Sequence, residues 1–430
     1  MAGRRRARQE IQRFLDTEAV QVAELDLAEG EEPVLRPGPG GPPVTSGPVF
    51  VLVRRAGRPV GTLLARVPEG ADPARELASR AGETGGGGPS GASSAPVPRP
   101  PAATVVVATR GRAAQLGRAL DSLLAQDHPD FDVVVVDNAP ATGETRELVE
   151  RKYGERVRYV CEPVPGLAVA HNRGLAAVRG EVVAFTDDDV IADPRWLTEL
   201  TAPFTADPRL ACATGLILPA RLSTPAQVLL ESHGGFAKGF TPRTYDPQHP
   251  PADEPLFPFT AGRFGSGASM AFRTAVLRAV GGFDPATGAG TPARGGDDLY
   301  GFVRVLAHGG RLHYTPTALV WHHHRETWRD LETQAYGYGA GLTAYLTAIL
   351  VNRPALLPAF LARLPRGLAH ARGLTAVRDT DGGGAPGGHD ERTHPWPRRL
   401  SRLQRRGMLY GPVGYLRARH AHRAAVRGTR

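Results

Sequence analysis

Residues 181–190 read Glu-Val-Val-Ala-Phe-Thr-Asp-Asp-Asp-Val, and this stretch decides how the rest of the chain is interpreted. Its first half is apolar, β-branched and aromatic, which predicts a short buried strand. The strand is followed directly by three carboxylates: Asp187, Asp188 and Asp189. Like charges at the end of a buried strand are costly unless a cation neutralises them or some stay protonated. The stretch therefore predicts a divalent-cation site, because one or two carboxylates commonly hold Mg²⁺ together with phosphate groups.

The alternative is that one of these aspartates caps the next helix. Asp193 is the better candidate for that cap, because it stands directly before Pro194. Aspartate followed by proline is a favoured start of a helix. The aspartate triplet is then not needed to start the helix. A cation site remains the explanation for three consecutive carboxylates.

Length and composition are those of a globular protein with more than one domain. A chain of 430 residues exceeds one typical domain and can bury a substantial core. Hydrophobic residues make up 41% and charged residues 22%, which is ordinary for globular proteins. The net charge is +9, and Lys152 and Lys238 are the only lysines. So strong a preference for arginine indicates a bias in genome composition rather than a function.

The cysteines and the apolar segments bear on the location of the protein. Cys161 and Cys212 are too few for a disulfide framework or a zinc site. We therefore expect the protein to be located in a reducing cytoplasm. Residues 4–13 are basic rather than apolar, so we expect no secretory signal. The longest apolar segment, 341–364, is broken at residues 352–354, whereas a spanning helix needs about 20 uninterrupted apolar residues. We expect this segment to lie along a membrane surface rather than to span it.

Shifts in composition divide the chain into parts. In chain order we expect a basic amphipathic tail (1–16), a small β-rich module (17–78), a linker rich in Gly, Pro and Ser (79–102), the main domain (103–325), a helical segment (326–370) and a basic C-terminal tail (371–430).

Within the main domain the apolar pattern alternates between strand and helix. Valine-rich strands are predicted over 104–108, 131–136, 157–161 and 181–186, with helical patterns between them. Such strands predict an α/β fold with a mostly parallel sheet covered by helices on both faces. Later in the chain we expect a helix over 193–206, an irregular loop over 219–258, a strand over 264–272 and two short strands over 312–314 and 318–321.

Polar residues stand where three of the predicted strands end. They are Thr109-Arg110, Asp137-Asn138 and the aspartate triplet. Ligands of parallel sheets bind at the carboxyl ends of the strands. We therefore expect one binding site at this edge of the sheet.

Six short motifs, in this order and spacing, resemble glycosyltransferase family 2, the inverting nucleotide-sugar transferases with the GT-A fold. The motifs are Val-Val-Val-Ala-Thr-Arg-Gly-Arg at 105–112, Val-Val-Asp-Asn at 135–138, Phe-Thr-Asp-Asp-Asp at 185–189, Gly-Gly-Phe-Asp at 281–284, Gly-Gly-Asp-Asp at 295–298 and Trp-His-His-His-Arg at 321–325. The resemblance covers about half of the chain and leaves both ends unexplained. It implies a nucleotide-diphosphate sugar donor and Mg²⁺ or Mn²⁺ as cofactor.

The resemblance also implies roles for individual residues in donor binding. The residues that it assigns to the nucleotide sugar are Thr109, Arg110, Asp137, Asn172, Arg173, Asp187 and Asp188. Where the family often has arginine before Asn172, this chain has His171. Asp137 could instead be an ordinary turn residue after its strand.

The metal ligands implied by the resemblance come from two motifs: Asp187, Asp189, His322 and His324, with Asp189 foremost. Neutral imidazole is a good metal ligand, so His322 and His324 could supply a further metal ligand or contact the diphosphate of the donor. Three consecutive histidines after a strand are also compatible with a solvated turn.

Asp298 matches the catalytic carboxylate of the family, and Asp297 is the second candidate. Inversion by single displacement needs one base that takes the proton of the acceptor hydroxyl. Either aspartate could instead cap the helix that follows, which is a favoured place for aspartate.

Three other functions compete with this interpretation. A nucleotidyltransferase acting on a sugar phosphate would share the sheet and the metal carboxylates, but it would not need Asp298. A glycoside hydrolase would need two carboxylates and no nucleotide, which would leave Asp137 idle. A polyanion-binding protein without catalysis would account for the high pI, but the excess of arginine lies at the two ends of the chain.

We expect an inverting glycosyltransferase that acts in the synthesis of a glycan, glycolipid or cell-envelope polysaccharide, with a glycan or lipid-linked acceptor. Choice of the acceptor is assigned to residues 219–263 and to the helical segment after 325. The basic ends predict peripheral contact with the anionic inner face of the cell membrane rather than a nucleic-acid partner.

Overall fold

The computed structural model describes residues 17–28, 30, 32–83, 99–233, 235–365 and 396–428. The tail predicted over 1–16, most of the predicted linker and residues 366–395 lie outside the described residues.

Two sheets account for the strands of the described residues. The strands are β1 Gln21–Asp26, β2 Val34–Pro37, β3 Gly47–Arg55, β4 Arg58–Val67, β5 Ala103–Thr109, β6 Phe131–Asn138, β7 Val157–Glu162, β8 Val182–Asp187, β9 Val190–Ala192, β10 Leu210–Pro219, β11 Arg243–Tyr245, β12 Met270–Arg273 and β13 Arg311–His322.

Helices connect these strands and form most of the C-terminal part. They are α1 Pro73–Glu83, α2 Ala113–Leu123, α3 Glu144–Leu148, α4 Leu167–Ala177, α5 Trp196–Thr201, α6 Pro203–Ala206, α7 Pro225–Ser232, α8 Thr274–Ala279, α9 Asp297–Ala307, α10 Trp328–Asn352, α11 (residues 357–365) and α12 Arg398–Gly428.

The larger sheet has the order β11-β13-β10-β12-β8-β5-β6-β7, and β9 pairs with β13. Strands β8, β5, β6 and β7 are parallel to one another, as are β10 and β13. The predicted mostly parallel α/β sheet is therefore confirmed. Strand β12 lies between β8 and β10 and is antiparallel to both. The sequence does not predict this direction.

Helices cover both faces of this sheet because successive valines of each strand point to opposite sides. Val106 and Val134 belong to one hydrophobic cluster, which includes residues of α4, α9 and α10. Val105 and Val135 belong to the other, which includes Leu120 of α2 and residues of α5. Strands buried on both faces need near-continuous apolar sequence, which is what the valine runs supply.

The N-terminal module is a four-stranded sheet with the order β2-β1-β3-β4, packed against α1. It docks on the main domain through an apolar cluster in which Leu52 joins Leu319 and Trp321. Beside this cluster, buried Arg54 donates to Glu24 at 2.6 Å and to Asp193 at 2.7 Å. The module and the main domain therefore share both an apolar and an ionic contact.

The predicted cap by Asp193 is wrong, because α5 begins at Trp196 with Arg195 at its N-cap position. The Asp193 carboxylate accepts the Arg195 N–H at 3.0 Å, two residues on, and binds Arg54 with its other oxygen. An aspartate two residues before the N-cap forms a local turn, while its remaining lone pairs serve the tertiary ion pair.

Several predicted elements differ in extent from the observed ones. The loop over 219–258 contains α7 and β11, and the strand predicted over 264–272 is confined to β12 after a 3₁₀ turn at Gly267–Ser269. The two short strands predicted after residue 311 are one strand, β13. The linker predicted from residue 79 begins later, because α1 continues to Glu83.

The C-terminal extension is helical, as predicted. Contacts run from Glu332–Arg399 to Thr343–Met408, so α10 and α12 point in the same direction. The helices approach closely at glycines: a Cβ atom on Gly407 would overlap the carbonyl oxygen of Tyr336. No single helix in the described parts of the chain is long and apolar enough to cross a membrane; α10 and the helix after it reach that length only as a pair bent by 109°.

Candidate active site

The three polar strand ends converge, as predicted, at the carboxyl edge of the parallel strands. In the register of the sheet Thr109 is opposite Asp137, and Ala108 is opposite Asp187. The side chains named at the ends of β5, β6 and β8 therefore stand side by side.

Asp188 ties the acidic triplet to the loop after β5. Its carboxylate accepts from the Thr109 hydroxyl at 2.7 Å and from the Arg112 guanidinium at 3.1 Å. Burial raises the pKa of Asp188 above its ordinary value, while Arg112 acts in the opposite direction. Thr109 and Arg112 therefore hold the Asp188 carboxylate in place. Asp188 in turn fixes the turn that carries Asp187 and Asp189.

Asp187, Asp189 and His322 each offer one ligand atom, and these atoms lie within 4.8 Å of one another. The pairing of β9 with β13 brings them together, because Val190 is opposite His322. His322 Nε2 lies 3.4 Å from Asp189 Oδ1, and Arg112 and Arg325 contact the other oxygen of Asp189 at 3.3 and 3.6 Å.

The chemistry of these three groups fits a divalent cation. Burial, followed by the charge of Asp189, raises the pKa of Asp187 well above its ordinary value. Burial lowers the pKa of His322 well below its ordinary value, so its ring is neutral and keeps a lone pair. Two carboxylates that repel each other beside a neutral imidazole form a donor set that a divalent cation would stabilise.

His324 does not join this group. Its Nδ1 lies 3.1 Å from His322 Nδ1, on the side of the His322 ring that faces away from Asp189. Its Nε2 lies 3.1 Å from Glu231 Oε2 on α7. His324 is therefore not placed as a direct ligand. It contacts the Nδ1 side of His322 instead.

Asp137 has one engaged and one free oxygen. Its Oδ2 accepts from the Tyr159 hydroxyl at 3.0 Å, and its Oδ1 is buried without a hydrogen-bond partner among the described residues. Burial raises the pKa of Asp137, and the Tyr159 hydroxyl partly offsets this. A buried acceptor without a partner suits a ligand that donates an N–H or O–H group. The sequence contained no signal for Tyr159, since it lies on the neighbouring strand β7.

Asp298 is the less buried member of the late acidic pair. Its two oxygens accept the backbone N–H groups of Gly267 at 2.9 Å and Leu299 at 2.8 Å. The N-cap residue of α9 is Gly296, with φ of 87°, so neither aspartate occupies the cap position. Burial and the neighbouring charge of Asp297 raise the pKa of Asp298 to about 6.

Asp297 is buried next to His171, with Oδ2 and Nδ1 3.1 Å apart. The His171 ring lies between Phe185 and Phe283, at centroid distances of 4.9 and 5.1 Å. The sequence does not predict this contact, because His171 and Asp297 lie far apart in the chain. Asp297 is therefore buried against His171, whereas Asp298 is held by backbone N–H groups and is less buried.

The late acidic pair influences the acidic triplet electrostatically. The charges of Asp297 and Asp298 contribute to the raised pKa of Asp187, after burial and the charges of Asp189 and Asp188. Both aspartates of the late pair therefore lie within electrostatic range of Asp187.

The remaining donor-binding candidates are distributed differently. Asn172 uses its side-chain amide on the backbone of Phe283, with distances of 2.8 and 2.9 Å, so its amide is engaged in holding the Gly-Gly-Phe-Asp loop. Arg173 is exposed on α4. Arg110 is exposed, and its guanidinium lies beside Gly290 in the loop that leads to Asp298.

A parallel-sheet edge that carries an acidic triplet, a histidine and a late acidic pair defines the chain as a transferase of the GT-A type. The family described as "Glycosyltransferase like family 2" matches residues 100–336, and the chain belongs to glycosyltransferase family 2.

Three known proteins are similar to this chain. A pre-mycofactocin glycosyltransferase of Mycobacterium tuberculosis is 31% identical over 254 residues, which is 56% of this chain and 48% of that protein. A validoxylamine A glucosyltransferase of Streptomyces hygroscopicus is 36% identical over 125 residues, 27% of this chain and 29% of that protein. The solved structure of a mannosyltransferase from Pyrobaculum calidifontis in complex with GDP-Man and Mn²⁺ is similar with a TM-score of 0.47 and 20% identity, covering 73% of this chain and 88% of that one. The match spans about half the length of the mycobacterial relative and less than a third of the Streptomyces relative.

Proposed function

We propose that the protein is an inverting glycosyltransferase that moves a sugar from a nucleoside-diphosphate donor to a hydroxyl group of a glycan or lipid-linked acceptor. The observation that carries this proposal is the meeting of Asp187, Asp189 and His322 at the sheet edge. The charge of Asp298, which contributes to the raised pKa of Asp187, supports a place for this carboxylate beside the same site. A nucleotidyltransferase would have no use for Asp298, and family membership also argues against it.

In this proposal the donor nucleotide lies over the ends of β5 and β6, where the free Oδ1 of Asp137 accepts from the base or ribose. Asp187, Asp189 and His322 would hold Mg²⁺ or Mn²⁺. When bound, the cation would neutralise the diphosphate and act as a Lewis acid towards the leaving group. Arg325, which already contacts Asp189, adds positive charge on the same side.

Asp298 acts as the base. Its carboxylate takes the proton of the acceptor hydroxyl while the hydroxyl oxygen bonds to the anomeric carbon and the bond from that carbon to the diphosphate breaks. The nucleoside diphosphate leaves with the bonding electrons. The backbone N–H groups of Gly267 and Leu299 hold the carboxylate in place for this transfer.

The test is donor-product binding that depends on metal. UDP or GDP with Mn²⁺ should raise the melting temperature much more than the same nucleotide with chelator, because binding to the folded state stabilises it by mass action. Asp189→Asn should remove the metal-dependent part, and Asp121→Asn, at an exposed ion pair on α2, should keep it. A metal-dependent shift of wild-type size in Asp189→Asn would overturn the proposed metal site.

We also propose that α12 holds the protein to anionic membranes. Its solvent-facing stripe has an apolar centre formed by Leu409, Val413 and Leu416, which are 81%, 47% and 55% exposed. Arginines flank this centre on both sides, and the helix contains no acidic residue. An apolar face bordered by arginine matches an anionic lipid surface.

Vesicle flotation tests this attachment. The protein should float with vesicles of phosphatidylglycerol and phosphatidylcholine, float less in high salt, and stay behind with phosphatidylcholine alone. Replacing the three apolar residues of the stripe by serine should abolish flotation. Leu64→Ser, at a 51% exposed leucine of the N-terminal module, should not change it. Equal flotation of the triple variant would refute the assignment of this face.

A further inference from the structure

A buried chain of side chains leads from α7 to the candidate metal ligand His322. Glu231 Oε2 lies 3.1 Å from His324 Nε2, and His324 Nδ1 lies 3.1 Å from His322 Nδ1. The far nitrogen of His322, Nε2, points to Asp189 Oδ1 at 3.4 Å. His322 and His324 are 7% and 2% exposed, so protein rather than water satisfies their ring nitrogens.

Hydrogen-bond chemistry gives this chain a direction. A carboxylate only accepts, so the His324 nitrogen that faces Glu231 must carry the hydrogen. A neutral His324 then has its lone pair on Nδ1, and the His322 nitrogen that faces it must be the donor. His322 Nε2 also faces a carboxylate, but its 3.4 Å distance to Asp189 Oδ1 is longer than a usual N–H···O bond, whereas the Glu231–His324 and His324–His322 distances of 3.1 Å are within the usual range. The hydrogens are therefore assigned to the two shorter contacts, and His322 is left with its lone pair on Nε2, on the side of Asp187 and Asp189. In the opposite tautomer His322 would present an N–H group there and could not bind a cation.

The surroundings keep the chain in this geometry. Phe236 packs against both imidazole rings, at centroid distances of 5.1 and 5.5 Å. Gln227 of α7 donates to the backbone carbonyl of His324 at 3.2 Å and completes a capping box with Thr224 at the start of the helix. Helix α7 is therefore anchored at two points on His324, two residues after the end of β13, one through Gln227 and one through Glu231.

We propose that Glu231, acting through His324, is a positioning residue that sets the tautomer and ring orientation of His322 for cation binding. Metal-binding histidines usually donate their second N–H group directly to a carboxylate or a carbonyl. In this protein a second imidazole stands between the carboxylate and the ligand. The identity of the ligand as a divalent cation rests on the proposed function, whereas the tautomer of His322 does not.

The tautomers can be measured in the metal-free full chain. Histidine labelled with ¹⁵N gives distinct long-range proton–nitrogen patterns for rings protonated at Nδ1 and at Nε2, and His322→Gln and His324→Gln variants assign the signals. We expect His322 to carry its hydrogen on Nδ1 and His324 on Nε2. A hydrogen on Nε2 of His322 in the wild-type protein would overturn the proposal.

Cation affinity provides the second measurement, with Mn²⁺ alone as the probe and the free-ion electron paramagnetic resonance signal as the readout. Glu231→Leu removes the acceptor and should weaken Mn²⁺ binding about 10- to 100-fold. Glu231→Gln retains an accepting oxygen and should restore most of the affinity. Ser232→Ala, on the same helix, should bind as the wild type does. Wild-type affinity in Glu231→Leu, or equal losses in the Leu and Gln variants, would refute the role of the carboxylate.

The two hypotheses fail separately. If the wild-type protein does not bind Mn²⁺, the proposed function fails at its metal site, while the ¹⁵N patterns still decide whether Glu231 directs the tautomers. If Glu231→Leu does not fold, the wild-type patterns and the Glu231→Gln affinity decide the proposal without it.

Discussion

Replacing Asp298 by asparagine separates its catalytic role from its structural one. If Asp298 is the base, the variant cannot accept the acceptor proton at neutral pH, and turnover should fall by roughly 100- to 10,000-fold. Binding of nucleoside diphosphate should stay within a few fold of wild type, because the proposed donor contacts lie on β5, β6 and β8. Turnover is measured as release of nucleoside diphosphate, after nucleotide sugars have been screened for the donor.

The fold should survive this change because two effects oppose each other. Both carboxylate oxygens accept backbone N–H groups, whereas the asparagine amide accepts only one. The N–H group left without a partner costs about 1–3 kcal/mol. A pKa raised to about 6 means that ionisation of Asp298 costs the folded state about 3 kcal/mol, and asparagine removes that cost. The free energy of unfolding at pH 7 should therefore change by less than about 2 kcal/mol.

The same pKa predicts the pH dependence. The pKa of Asp298 in the folded protein lies above the ordinary value of 3.8, so ionisation of this group lowers stability as the pH rises through the window from 3.8 to about 6. Activity has the opposite trend, because only the ionised form can act as base. About nine-tenths of the carboxyls are ionised at pH 7 and about one-tenth at pH 5, so kcat/KM should fall about tenfold between them.

The controls distinguish the two aspartates. Loss of turnover in Asp297→Asn but not in Asp298→Asn would move the base by one residue and leave the mechanism intact. Turnover above a tenth of wild type in both variants would refute single displacement with a carboxylate base.

Two further predictions concern contacts away from the site, at the N-terminal module and between α10 and α12. Arg54→Ala leaves two partly buried carboxylates without their buried partner and should lower the free energy of unfolding by about 3–5 kcal/mol at pH 7, measured in urea; a loss under about 1 kcal/mol would contradict a stabilising role of these ion pairs. Gly407→Ala places a methyl group against the Tyr336 carbonyl oxygen and should cost about 1–3 kcal/mol, visible as faster hydrogen exchange in α12. Gly82→Ala, with open space around it in α1, should instead stabilise by up to about 1 kcal/mol; equal effects in the two glycine variants would refute the close approach of α10 and α12.

Much of the architecture could be predicted from the sequence because its signals are local. Valine runs and helical spacing predicted strands β5 to β8 and the helices between them. The polar residues directly after those strands predicted which edge of the sheet carries the site. The antiparallel direction of β12 could not be predicted, because a four-residue strand has no directional signal and its neighbours in the sheet come from other parts of the chain.

What the sequence by itself determined is the set of reactive groups: the acidic triplet, the late acidic pair and the histidines at the end of β13. Only the tertiary structure decided their partners. Motif position gave Asn172 a role at the donor, whereas packing engages it with the backbone of Phe283, 111 residues away. Motif position made His322 and His324 equivalent, and Glu231 on α7 distinguishes them. The physical reason is range: strand and helix propensities depend on neighbours in the chain, but hydrogen-bond partners and pKa values depend on groups that only the folded chain brings within a few ångströms.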